Sequence, residues 1–551
     1  MAAATTKPTS NLARLSAAEV VVKTLAANGI DKLYCLPGVQ NDDFFDALAR
    51  VGQAIRPINA RHEQATAYMA LGAALATGKP QAYCVVPGPG FLNTTTALAT
   101  AQSLCQPVLA ISGQIFEKSI GKGLGFLHEI PDQLGIMKTL TKWAAHIDGP
   151  EDAGPKIREA FQQLMSGVPG PVGIECGWDM WKQSADVAFD ADPAKRQTPA
   201  FDEDAAEAAA KLLANSKHPL ISAGGGAQHA SAEITQLAEM LQAPVMTLRT
   251  GAGVLDQRHY LSQRVTGGYH LWEDVDVVLG VGTRLHQQFD WGTDAEMKII
   301  HLDIDPTRPG RIRKPDIAFI ADSKEGLRAI IDRLPKHLGK RDNRRDEMLA
   351  LNARVAEELA DLAPQKAWID AIRAAVPEDG VLVEELTQVS YVSRVMYPVY
   401  APRTYISSGY QGTLGWGLNV ALGVKAALPD KPVVSLSGDG GFMFGVQELA
   451  TAVKHDIGLV SVVFVDNAYG NVKRMQEMGY EGRVIASDLT NPDFVKLGES
   501  FGMRARRALI PQALGKEIGD ALAAGGPALI EVPVGQFPDP WRIFFRKKNR
   551  G

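Results

Sequence analysis

Residues 431–441 read Lys-Pro-Val-Val-Ser-Leu-Ser-Gly-Asp-Gly-Gly, and a second apolar run, residues 457–465 (IGLVSVVFV), stops at Asp466-Asn467-Ala468-Tyr469-Gly470. The first run reads as a buried strand entering a turn that glycine makes at low steric cost. Residues 441–456 then predict a helix with Val446, Leu449 and Val453 on one face. A strand-helix-strand crossover is right-handed and makes its two strands parallel, so Asp439 and Asp466 leave the same edge of one sheet. That edge is where open parallel sheets bind ligands. The fold class follows as α/β, built from doubly wound parallel sheets.

The same grammar runs outward through the chain. Residues 16–30 form a capped amphipathic helix, and strand-like runs follow at 32–38, 54–59, 81–90, 107–114 and 171–176. The pattern dissolves in a charged, Pro- and Ala-rich stretch at 182–204. A second series (219–226, 244–253, 276–284, 298–305) fades near 336–348, and a third begins near 365. We therefore expect a disordered lead-in at 1–15 and three doubly wound α/β domains at 16–185, 200–345 and 365–551, the last with a basic tail. Residues 70–90 (ALGAALATGKPQAYCVVPGPG) and 421–440 (ALGVKAALPDKPVVSLSGDG) share Ala-Leu-Gly, Lys-Pro, an apolar run and Gly-x-Gly at an offset of about 350 residues. Two similar outer domains flanking a different middle one are expected.

Composition narrows the function. No apolar stretch approaches the roughly 20 residues that cross a bilayer, and 57 basic against 62 acidic residues leave no cationic field for nucleic acid. A small-molecule substrate and a cytoplasmic location are expected. The four cysteines are far apart, with no metal or disulfide spacing.

Either Asp439 or Asp466 alone would read as a turn residue. As a pair at neighbouring strand ends, beside a glycine turn and a helix N-terminus, they suit a magnesium ion that keeps positions free for a diphosphate. The implied ligand is a diphosphate-bearing cofactor.

Gly438-Asp439-Gly440, followed 27 residues later by Asp466 and Asn-Ala-Tyr-Gly, resembles the thiamine diphosphate motif of the acetolactate synthase, pyruvate decarboxylase and benzaldehyde lyase family. The resemblance spans nearly the whole chain and implies pyrimidine-binding, central and diphosphate-binding domains in that order. It implies that Asp439, Asp466 and the Ala468 carbonyl hold Mg2+, with Asp466 where the family has Asn. Around them it implies cofactor contacts from Pro37, Gly412, Thr413, Leu414, Gly438, Gly440, Gly441, Asn467, Tyr469, Gly470, Asn471 and Val472.

Glu63, in Arg61-His62-Glu63-Gln64, matches the family glutamate that hydrogen-bonds the aminopyrimidine ring and promotes the imino form that takes the thiazolium C2 proton. That role needs a buried acid; a first-turn glutamate also serves routine helix electrostatics. Residues 408–415 (SGYQGTLG) resemble the loop whose large apolar residue bends the cofactor. Leu414 holds that place, and its type alone leaves core packing open. If the resemblance holds, Glu63 and Asp439 of one site come from different subunits, which implies a homodimer or homotetramer.

The resemblance also assigns substrate-side positions. Gln114 and His128 match places where acetolactate synthases and benzaldehyde lyases carry glutamines near the reacting carbon, Gln40 is a catalytic candidate directly after Pro37-Gly38-Val39, and Tyr410 matches the Gly-Tyr of benzaldehyde lyase. His128 can move protons or serve as a structural partner beside Glu129. The acids of simple decarboxylases are missing at Val39 and Val472, which disfavours plain decarboxylation. Asn471 and Met475 depart from the acetolactate synthase pattern. The expected activity is a lyase or carboligase on 2-keto acids or 2-hydroxy carbonyl compounds, like acetolactate synthase. Alternatives are a 2-hydroxyacyl-CoA lyase or oxalyl-CoA decarboxylase, with coenzyme A met by Arg546, Lys547, Lys548 and Arg550, and a benzaldehyde lyase-like enzyme. Gly224–Gly226, Gly251, Gly253, Arg284 and Asp303 resemble loops that cradle FAD or ADP in some members, leaving FAD as the lesser expectation.

Overall fold

The computed structural model describes residues 12–551. They fall in two compact units, Met1–Gln197 and Thr198–Gly551.

The first unit carries a six-stranded sheet, all parallel, from Lys32–Cys35 to Val172–Gly177. Numbered along the chain, its strands lie in the order 2-1-3-4-6-5. Ala82, Leu109, Ile111 and Ile174 are buried on it beneath the helices Ala17–Ala27 and Pro150–Met165. Ser16 starts the first helix with a capping box: its hydroxyl accepts the Glu19 amide at 3.2 Å and its own amide donates to Glu19 Oε2 at 2.8 Å.

The second unit holds two further six-stranded parallel sheets. The central one, from Pro219–Ala223 to Ile317–Ile320, runs 3-2-1-4-5-6; the last, from Val381–Glu384 to Ala528–Pro533, runs 2-1-3-4-6-5. The outer sheets share an order that the middle one lacks, in line with the internal repeat. Central and third blocks are joined by one core, which passes from Trp272 and Trp291 through Trp368 to Leu382 and Val434. This shared burial makes them a single unit.

Four details depart from the sequence reading. Residues 12–15 of the expected lead-in belong to a strand, Leu12–Ser16, paired antiparallel with Ser184–Ala188 inside the expected linker; residues 1–11 lie outside the described residues. The helix expected over 441–456 is broken. A turn at Gly445, packed against Asn419, separates Asp439–Phe442 from Leu449–Lys454. The break shifts the helical phase, so Val453 is 41% exposed while Glu448 is buried. The basic tail is docked: Arg546 pairs with Glu358 at 2.6 Å and Arg550 with Asp294 at 2.6 Å, both on the second unit's own surface. In the central block, Gly224 and Gly226 let their loop pack onto Gly282, where a Cβ would collide with that residue's backbone. Among the described residues no helix is long and apolar enough to cross a membrane.

Candidate functional site

In a sheet of order 2-1-3, the loops after strands 1 and 3 leave in opposite directions and open a crevice at the strands' carboxyl ends. In the last sheet these strands are Val381–Glu384 and Val433–Gly438, paired in register from Val381↔Val433 to Glu384↔Leu436. A cavity of about 240 Å3 opens there, lined by Leu386, Thr387 and Gln388 after the first strand and by Gly438–Gly441 after the second. Leu414, Asp466, Ala468 and Tyr469 complete its walls.

Asp439 begins the short helix Asp439–Phe442 and is 2% exposed. Its Oδ1 accepts the Gly440 amide at 2.9 Å, and its Oδ2 accepts the Asn467 amide at 2.8 Å and Asn491 Nδ2 at 2.7 Å. Gly438 pairs with Phe464 on the adjacent strand, which delivers Asp466 to the same rim two residues later. Asp466 Oδ2 accepts Gln388 Nε2 at 3.0 Å, and its Oδ1 accepts the Ala468 amide at 3.3 Å. Burial holds both carboxyl groups above the usual range, and the charge of Asp466 adds to this at Asp439. A divalent cation between two such acids would relieve both effects, so the donor chemistry fits a metal.

Glycine is required where the wall closes on itself. A Cβ on Gly440 would stand 2.6 Å from the Tyr469 ring, and one on Gly470 would strike Asp466 Oδ2. Asn467 adopts φ 57°, the left-handed conformation that asparagine tolerates best among non-glycine residues. Asn471 accepts Trp541 Nε1 at 3.0 Å, and Val472 is half-exposed at the rim. Gly412, Thr413 and Leu414 are partly buried on the facing loop, and Gly412 φ is 59°. In the same loop Tyr410 is half-exposed; the Arg249 guanidinium lies 5.0 Å and that of Arg284 5.8 Å from its ring centre. Arg249 also donates to the Gly409 carbonyl at 2.7 Å. The structure thus gives Arg284 a ring contact on this loop.

The first unit builds the equivalent edge. Its strands 1 and 3, Lys32–Cys35 and Gln81–Val85, send out Pro37–Gln40 and Val86–Gly90. Val86 wedges between Gly38 and Gly90, and a Cβ on Gly90 would lie 3.6 Å from Glu63 Oε1. Glu63 opens the helix Glu63–Thr77; Asn93 Nδ2 donates to its Oε2 at 2.9 Å. Sequence reasoning asks for a buried acid here, whereas Glu63 is only half-buried in this chain, because it stands at a helix start on the open rim. Gln40 is fully buried, donates to the Leu127 carbonyl at 3.2 Å and keeps Oε1 without a hydrogen bond. His128 has φ 68° and a buried Nδ1 without a partner, and its carbonyl packs on Gly88. Glu63 and His128 therefore flank the loop Val86–Gly90, and Gln40 bonds the residue before His128.

Gln114 does not join them. Its Nε2 donates to Glu175 Oε2 at 3.2 Å and its Oε1 accepts the Ile115 amide at 2.8 Å. Glu175 also receives Gln133 Nε2 at 2.9 Å and faces His146 Nδ1 at 3.1 Å. Burial would lower the His146 pKa, but the Glu175 hydrogen bond and the Glu117 charge raise it on balance.

Four second-unit residues escaped the sequence reading: Glu385, Thr387, Gln388 and Asn491. The first three follow an apolar run, residues 381–383, and a strand ending in acids before a Thr cap was the signal available. Asn491 lies in an irregular segment, 490–493, and gives none.

Comparison with known proteins matches three family descriptions along the chain. Residues 15–136 match the thiamine pyrophosphate enzyme N-terminal binding domain, 206–330 its central domain and 386–532 its C-terminal binding domain. A probable 2-ketoarginine decarboxylase from Pseudomonas aeruginosa is 32% identical over 529 residues, covering 94% of each chain. The acetolactate synthase isozyme 1 large subunit of Escherichia coli is 31% identical over 549 residues, covering 96% of this chain and 95% of its own. A probable acetolactate synthase large subunit from Methanocaldococcus jannaschii is 31% identical, covering 94% and 92%.

Proposed function

The chain belongs to the thiamine diphosphate-dependent enzymes, and from that premise we propose that it is a magnesium-dependent C–C lyase or carboligase acting on 2-keto acids or 2-hydroxy carbonyl compounds. The observation that carries the metal and diphosphate part is the Asp439–Asp466 pair on the rim of the 240 Å3 cavity. Asp439, Asp466 and the Ala468 carbonyl would hold Mg2+, while the Gly440 and Gly441 region would meet diphosphate oxygens. When bound, thiamine diphosphate supplies a nucleophilic carbon and an electron sink for the C–C bond that breaks.

The chain's own residues do the rest. Leu414 lines the same cavity as Asp439 and would give the cofactor an apolar support there. Glu63 would hold the aminopyrimidine ring of the bound cofactor through its carboxyl group and supply the acid–base function there. Gln40 Oε1 and His128 Nδ1, both buried without partners, are free to accept a hydrogen bond from the reacting group. Tyr410, with the Arg249 and Arg284 guanidinium groups near its ring, would wall the substrate side. A 2-keto acid donor is supported by the relative named for 2-ketoarginine. Of the four tail residues that suggested coenzyme A, Arg546 and Arg550 are engaged by carboxylates of the chain itself. The assembly we infer is a homodimer or homotetramer in which Glu63 of one copy serves Asp439 of another.

The test is calorimetric binding of thiamine diphosphate with and without Mg2+, followed by NMR product analysis with pyruvate, guanidino 2-keto acids, glyoxylate, benzaldehyde, benzoin and oxalyl-CoA. Metal-dependent binding and a ligated or cleaved product lost in Glu63→Gln are expected. Absence of binding would overturn the reading; turnover of oxalyl-CoA alone would replace its substrate class.

A further inference from the structure

Glu385 lies just past the strand Val381–Glu384 and stays in the ladder, its amide donating to the Leu436 carbonyl at 2.8 Å. Its side chain is 1% exposed. Oε1 accepts the Gly415 amide at 2.6 Å and the Trp416 amide at 3.2 Å. These are the first amides of the helix Trp416–Ala427, entered through Gly415 at φ 77°. A carboxylate there satisfies donors that the helix cannot satisfy itself.

The opposite side of the same carboxyl rests on the other wall of the cavity. There a Cβ on Gly441 would stand 2.5 Å from Oε1, while back on the helix side one on Gly417 would stand 2.9 Å from Oε2. Glycine at both positions leaves room for the acid. One buried group therefore touches the loop that carries Leu414 and the turn that carries Asp439. Glu385 itself does not line the cavity, so it acts through these two segments.

We propose that Glu385 is a positioning residue, whose carboxyl group fixes the separation between the Leu414 loop and the Gly438–Gly441 turn and thereby the bend imposed on the cofactor. This rests on thiamine diphosphate being the ligand of the cavity. A proton transfer within a cofactor held between these two segments would depend on their separation, and misplacement by about 1 Å costs on the order of a hundredfold in proximity-driven reactions. The affinity for the diphosphate, set by Asp439, Asp466 and backbone amides, should change much less.

Three measurements on the full-length protein test this. Amide hydrogen exchange of residues 412–418, without cofactor, is expected to speed up at least about tenfold in Glu385→Gln, because the carboxamide holds the helix start less firmly. Calorimetric affinity for thiamine diphosphate with Mg2+ should fall by less than about fivefold, while C2 deuterium exchange at saturating cofactor slows at least about tenfold. Glu385→Asp keeps the carboxyl group one methylene farther back and should give intermediate exchange; it replaces Glu385→Gln if that variant fails to fold. Unchanged loop protection and unchanged C2 exchange in the variant studied would overturn the proposal. Failure of the wild type to bind thiamine diphosphate would instead overturn the cofactor reading on which it rests.

Discussion

Gln388 Nε2 donates to Asp466 Oδ2 at 3.0 Å while Gln388 Oε1 accepts the Phe537 amide at 2.9 Å and Arg474 at 3.0 Å. One amide side chain thus aims a candidate metal ligand and anchors it to two segments remote in sequence. Gln388→Ala should weaken Mg2+-dependent thiamine diphosphate binding about tenfold or more, as loss of a partner behind a metal ligand does. Titration calorimetry at fixed Mg2+ checks this, and unaltered affinity would show that Asp466 needs no support.

Asp439 accepts three donors within 2.9 Å. Asp439→Asn would turn an NH2 group toward at least one of them, losing an acceptor and the charge that a cation needs. Metal-dependent cofactor binding should drop by about a hundredfold or more. Asp466→Asn keeps an oxygen ligand and disturbs one of only two donors, Gln388 Nε2 or the Ala468 amide, so its binding should stay within about tenfold of wild type. Equal losses in the two variants would contradict the asymmetry.

Glu63→Gln should preserve cofactor binding and lower turnover by about 10²–10⁴, the range for loss of a positioned proton-transfer group. Steady-state rates at saturating cofactor decide it. A loss confined to KM would assign Glu63 to binding.

Burial pushes the Glu385 carboxyl up to about 7 from its ordinary value of 4.5, against hydrogen bonds that pull it down. An acid raised in the folded state binds more protons there than when unfolded, so between about pH 4.5 and 7 its contribution to stability falls as pH rises. The whole effect is about 3 kcal/mol at most. Urea unfolding across that window should show this slope in wild type and lose it in Glu385→Gln; an identical slope in both would assign the dependence elsewhere.

Specific activity should fall on dilution in step with loss of the assembled state followed by sedimentation, since we infer that two copies contribute Glu63 and Asp439. Full activity in a proven monomer would reject that inference.

The sequence by itself determined the three parallel sheets, because buried strands separated by amphipathic helices and ended by glycine or aspartate leave few other arrangements. It also located Asp439 and Asp466, because two strands joined by one crossover must end on one edge. The same logic failed over 441–456, where helical spacing extends through Gly445 but packing against Asn419 interrupts it.

Tertiary structure alone decided which side chains meet at that edge. Gln388 and Asn491 reach the acids across 78 and 52 residues, Glu385 reaches Gly415 across 30, and Gln114 turns away to Glu175 across 61. Such partners are fixed by the strand order 2-1-3-4-6-5 and by the burial that makes an unpaired polar group costly. Neither leaves a mark in local spacing, since each hydrogen bond depends on where a distant strand end happens to lie.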